Sequence, residues 1–278
     1  MDPNQPDSPQ HDPNAPPALA AEPPQSTSSA PVWHTLLLVA GILAISAHGA
    51  ARFSAPHASI NRLATYGFTA AMELALLGWV VVGLRLKKVP LRSLLGANQV
   101  DARSIALDLG IALVFWIGSL IVLSTLALTW IGIQAAVTHR PLAGSAGHPL
   151  AQDPSQQQAL HALVQLAPSN AVEIAAWALL CLLVGFVEET VFRGYLQRQF
   201  TAWARGAAAA GVALSALAFG AAHAYQGARN MCLLAVFGAL FSLLALFRRS
   251  LRACIFAHSW HDLIAGLTIA LLKAHHFI

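Results

Sequence analysis

The stretch AVEIAAWALLCLLVGFVEETVFRG, Ala171 to Gly194, runs from an apolar segment suited to lipid straight into two adjacent glutamates and an arginine. A charged side chain at mid-bilayer costs about 2.5–3.5 kcal/mol on insertion scales, so a membrane helix that keeps one usually turns it into the bundle, where it acts. This stretch therefore decides two things together: the chain enters a membrane, and it carries chemistry there.

The rest of the sequence agrees with the first conclusion. Of 278 residues 56% are hydrophobic and 10% are charged, against about 25% charged in ordinary soluble domains. Seven apolar stretches recur, at 33–50, 64–84, 105–133, 171–187, 207–224, 230–247 and 253–272. They match the ~17–25 residues that carry a helix across ~30 Å of hydrocarbon. The expected fold is all-α: a polytopic membrane helical bundle of about seven transmembrane helices with a disordered N-terminal tail.

The tail is residues 1–31, which hold nine of the fifteen prolines and no Lys or Arg. Without a basic n-region it is no secretory signal. Transmembrane helices and their connecting loops follow over 32–170, a helical core holding most of the ionisable residues over 171–272, and a C-terminal tail over 273–278. Within the second region, Arg85–Ser104 is basic and broken by Pro90 and Gly96, which predicts a cytoplasmic loop with a short amphipathic helix. The polar, proline-rich stretch Gln134–Asn170 predicts the longest outside loop. Cys181, Cys232 and Cys254 lie in apolar segments without metal-ligand spacing, so packing is their expected role.

The formal charge of +4 does not point to nucleic acid, because the basic residues sit at segment ends rather than in one patch. Eleven of the sixteen Lys and Arg fall on one side of a seven-span layout and five on the other. The positive-inside rule places the eleven in the cytoplasm, the N-terminus with them and the C-terminus outside.

Helical spacing sorts the ionisable residues. Glu189 and Arg193 are four apart and share a face, so they should pair; Glu188, five from Arg193, is left free to act as a general base. Phe219 and His223 in FGAAH are also four apart, as are His258 and Asp262 in HSWHD, where the carboxylate can orient the imidazole. Glu188 lies seventeen residues before Arg205 and His223 seventeen after Gly206. An antiparallel hairpin turning there sets the two opposite each other, ~25 Å from the turn. That geometry requires the fourth helix to continue through Gln199. His258, about six residues beyond Arg252, comes out shallower than His223 by the same count, and a last helix starting nearer Arg248 would close the gap. His34, His48 and Glu73 read as isolated, and His261 as secondary.

Together EETVFR, FGAAH and HSWHD resemble the EExxxR, FxxxH and HxxxN signatures of the CAAX protease and bacteriocin-processing family. These are intramembrane endopeptidases related to the eukaryotic prenyl-protein CAAX endopeptidase and to lysostaphin-resistance proteins. The resemblance implies a membrane peptidase, expected in the bacterial cytoplasmic membrane, that cleaves a membrane-associated peptide or lipidated protein. In it Glu188 and His223 activate water, His258 with Asp262 stabilises the oxyanion, and Glu189, Arg193 and Phe219 support the site. Asp262 stands where the family most often has asparagine, and an ionised carboxylate can only accept hydrogen bonds. Glu188, His223 and His258 also make three N/O ligands of the kind that hold a catalytic zinc, so catalysis with and without metal both stand. The competing functions are a non-catalytic bacteriocin-immunity or scaffold protein and a proton-coupled transporter. The presence of every motif residue weighs against the first, and the absence of repeat symmetry against the second.

Overall fold

The computed structural model describes residues 28–53, 60–96, 101–138, 160 and 163–275. Most of the expected tail and outside loop, and the last three residues, lie outside them. The described elements are helices: α1 (Val32–Phe53), α2 (Arg62–Leu86), α3 (Arg92–Leu95), α4 (Ala102–Thr138), α5 (Ala171–Glu188), a π-helical segment (Glu189–Leu196), α6 (Gln197–Trp203), α7 (Ala208–Ala222), α8 (Ala228–Arg248) and α9 (Arg252–Ala274). Each of the seven apolar stretches is helical. Six are long and apolar enough to cross a membrane; the seventh, α7, has 15 residues and is too short. α4 leaves Val114 73% and Leu128 69% exposed, which suits a lipid-facing surface rather than a watery one.

α5, the π segment and α6 form one unbroken rod, Ala171–Trp203, so the fourth helix does continue past Gln199. Asn170 caps its start by accepting from the Glu173 amide. Arg205 (φ 55°) and Gly206 (φ 93°) make the turn, and α7 runs back along α6. The closeness of that return shows at Gly211, where a Cβ would overlap the Thr201 hydroxyl.

Ion pairs fix the two ends of the bundle. At one end Arg62 on α2 pairs with Glu173 on α5 (3.3 Å). At the other, the fully buried Asp108 of α4 receives Arg248 (2.6 Å) and Arg252 (2.7 Å) from the turn between α8 and α9. The sequence reading overlooked Asp108, although it lies inside an apolar stretch.

The basic loop does contain a short helix, α3, and one side of it plugs into the bundle. Leu94 is fully buried, Arg198 donates to the carbonyls of Ser93 (2.6 Å) and Leu94 (3.2 Å), and the Leu251 amide donates to Leu95 (2.9 Å). Gly96 forms an isolated bridge with Ser250 at φ 69°, so close to Arg249 that any Cβ would strike its carbonyl oxygen.

These contacts resolve the mismatch in depth. The last helix does not start nearer Arg248; instead the whole turn before it is recessed. A Cβ at Gly194, five residues from Glu189, would stand 3.1 Å from Leu251 and 3.2 Å from Leu94. His258 thus reaches the level of the glutamates within the first two turns of α9.

Ser28, Ser29 and Ala30, expected within the tail, pack on the bundle: Gln199 Oε1 accepts from the Ser28 hydroxyl (2.9 Å) and the Ser29 amide (2.6 Å), and Ala30 is fully buried. Cys181 and Cys254 are buried as expected, whereas Cys232 is exposed on α8.

α5 and α9 cross at Gly185, where a Cβ would overlap the Ser259 hydroxyl. Gly185→Val should therefore force the helices apart and destabilise the protein by about 1–3 kcal/mol. A lowered midpoint of thermal unfolding in detergent, set against a smaller loss for Gly185→Ala, checks this.

Candidate active site

One turn after the Gly185 crossing, α-helical winding gives way to π-helical winding at Glu189. Such wide turns occur mostly as local insertions in α-helices and often at functional sites. All eight residues of the segment, ETVFRGYL, are buried, although the segment contains a glutamate, a threonine and an arginine. Some of its polar groups bond within the bundle, while Glu189 Oε2 and Arg193 Nε are buried without a hydrogen-bond partner. Thr190 donates to the Phe186 carbonyl (2.7 Å), and the Phe192 carbonyl, which also receives the Gln197 amide, accepts the Ser215 hydroxyl (2.7 Å).

Glu189 is the junction. Its Oε1 accepts from Arg193 Nη1 (3.0 Å) and from His258 Nδ1 (2.7 Å), and both Glu189 and Arg193 side chains have 0% exposure. The expected Glu189–Arg193 pair is therefore present. Arg193 also donates to the Gly238 carbonyl (3.4 Å), with its guanidinium carbon 4.3 Å from the centre of the Phe219 ring and 5.1 Å from that of Phe241. Contact with aromatic faces compensates part of the cost of burying a cation. Phe219 belongs to the core formed with α1, α2 and the π segment, and Phe241 to the core formed with α4 and α9, so Arg193 sits at the seam between them.

Because a carboxylate can only accept, the Nδ1 of His258 carries the proton of its bond to Glu189. That fixes Nε2 as the ring nitrogen turned toward Glu188 Oε2 (3.6 Å) and Asp262 Oδ2 (3.6 Å). Glu188 thus faces His258, and its Oε2 is a buried oxygen without a hydrogen-bond partner. Side-chain exposure rises from 0% at Glu189 through 14% at Glu188 to 28% at Asp262, so the group opens on its Asp262 side.

His223 ends α7, and its Nδ1 donates to the Phe219 carbonyl (2.9 Å). In the neutral ring that leaves Nε2 with the lone pair, as a base requires. The ring lies 4.8 Å from Phe219, which also lies 6.2 Å from His258, and His223 is within electrostatic reach of Asp262. The motif residues are thereby gathered around Phe219 and His258.

His261 turns away to Phe237 (4.9 Å). His34 is a packing residue, bonded to the Tyr195 hydroxyl (3.1 Å) and stacked on Trp79 (4.7 Å), and His48 is exposed. Glu73 is not isolated: it lies within electrostatic reach of Glu188, His258 and Asp262, and Tyr225 within reach of Glu188, Asp262 and Glu73. The sequence signal for Glu73 was its place in the middle of an apolar stretch. Tyr225 had no such signal. An apolar groove on α4 and α8, lined by Ala106, Gly110, Val114 and Phe247, includes none of these residues.

Among the described residues, no three His, Cys, Asp or Glu side chains form a group that could hold a metal ion.

Residues 170–264 match the family model described as type II CAAX prenyl endopeptidase Rce1-like. The matched segment contains all three motifs and the whole Glu189–Arg193–His258 junction, and it excludes Glu73. No curated protein and no solved structure matches the chain. The match is to a family of membrane proteases, and with the six apolar helices it makes this an integral membrane protein.

Removing one member of a buried pair strands the other, at a cost of about 3–5 kcal/mol. Arg193→Met and Glu189→Met should each destabilise the fold by roughly that amount, and the double substitution should cost less than the sum, as read from thermal unfolding of all three variants.

Proposed function

We propose that the protein is an intramembrane endopeptidase that hydrolyses a peptide bond in a membrane-associated, lipidated or CAAX-like protein or peptide by means of an activated water. The observation that carries this reading is the pair of carboxylates, Glu188 and Asp262, facing Nε2 of a histidine whose Nδ1 is bound to Glu189. The match to a CAAX endopeptidase family supports it.

Glu188 and the Nε2 of His223 take a proton from water as its oxygen attacks the peptide carbonyl carbon. The oxyanion that forms is stabilised by an N–H on Nε2 of His258, while Glu189 and Asp262 balance the imidazolium. When the C–N bond breaks, the proton taken from water passes to the leaving amine. Asp262 orients and balances His258 and does not donate to the oxyanion, which is why a carboxylate can stand where the family has asparagine. Glu189 and Arg193 hold His258 in place, and Phe219 supports Arg193 and both histidines.

The test is cleavage mapping in proteoliposomes. Glu188→Ala and His223→Ala should each lower the rate by about a hundredfold or more while the protein stays folded; unchanged cleavage by either variant would end this reading. Cleavage should also survive phenanthroline. Loss on chelation that zinc restores would instead put a metal on Glu188, His223 and His258.

A further inference from the structure

Glu73 comes from α2, outside the matched segment, yet it lies within electrostatic reach of Glu188, His258 and Asp262. Its Oε2 is fully buried and has no hydrogen-bond partner. An acidic side chain within a span is costly unless something balances it, and unbalanced ones mark paths or binding positions for ligands. Two cations of the site are already engaged. Arg193 is held by Glu189 and the aromatic rings, and His258 is bonded to Glu189 and flanked by Glu188 and Asp262.

We propose that Glu73 is a specificity-determining residue that receives the ammonium or guanidinium of a basic side chain beside the scissile bond. This rests on the proteolytic reading above. Lysine and arginine meet the requirement geometrically as well, because their long aliphatic stems can lie along apolar helix surface while the charged end reaches a carboxylate. A peptide held this way presents its backbone to Glu188 and His258, and a neutral side chain leaves the Glu73 carboxylate unpaired in the bundle. The selectivity is electrostatic and needs no further hydrogen-bond donor from the protein.

The experiment uses the full chain in proteoliposomes and a library of N-acetylated peptides differing at one position: lysine, arginine, norleucine, glutamine or glutamate. Acetylation removes the terminal amine from the comparison. The wild type should cleave beside lysine or arginine about tenfold faster than beside norleucine or glutamine, and slowest beside glutamate. Glu73→Gln should remove that preference by slowing cleavage of the basic peptides relative to the neutral ones. Glu73→Asp, which keeps the charge, should restore part of it. Cleavage without a basic preference, a preference that persists in Glu73→Gln, or equal loss of cleavage on every peptide in that variant would overturn the assignment of Glu73 and leave the proteolytic reading standing. A wild type that cleaves no peptide would overturn both.

Discussion

A single carboxylate oxygen, Oε1 of Glu189, receives both the guanidinium of Arg193 and the imidazole of His258 in a region without solvent exposure. Everything else about the site depends on it. A buried charge is tolerable only when paired and further bonded, and here the pairing joins α9 to the long rod of α5, the π segment and α6. Because that oxygen can only accept, it also dictates which nitrogen of His258 faces Glu188 and Asp262. Structural support and chemical orientation thus come from the same bond.

The surrounding helices place this junction where water-dependent chemistry is otherwise hard to arrange. The hairpin of α6 and α7 sets the glutamates far from its turn, while the recessed turn before α9 brings His258 up to them from a shorter helix. The plug at α3 and the buried Asp108 hold that recessed turn, through the Leu251–Leu95 bond and the ion pairs to Arg248 and Arg252. Segments with no residue in the site therefore determine its depth. The π segment contributes by rotating the chain after Glu188, so that the two adjacent glutamates serve different ends: Glu189 accepts from Arg193 and His258 through Oε1, while Glu188 turns Oε2 toward Nε2 of His258.

Two features separate this site from a simple reading of the family pattern. Asp262 supplies charge where an asparagine would supply a donor, and Glu73 adds a carboxylate from a helix outside the matched segment. Both bring a further carboxyl group to the site while leaving the Glu189 junction untouched.

The sequence by itself determined what depends on local periodicity. Apolar runs of membrane length marked the seven helices, and spacings of four residues paired Glu189 with Arg193, Phe219 with His223 and His258 with Asp262. Each pair lies on one helix, where the angle between side chains follows from residue number alone. Only the tertiary structure decided the relations between helices: the bond from Glu189 to His258, the inclusion of Glu73, the recessed start of α9 and the docking of the loop helix. Those depend on which faces meet and at what depth, set by close crossings at Gly185 and Gly194 and by ion pairs across 140 positions of chain, as between Asp108 and Arg248. Counting along one helix carries no information about them.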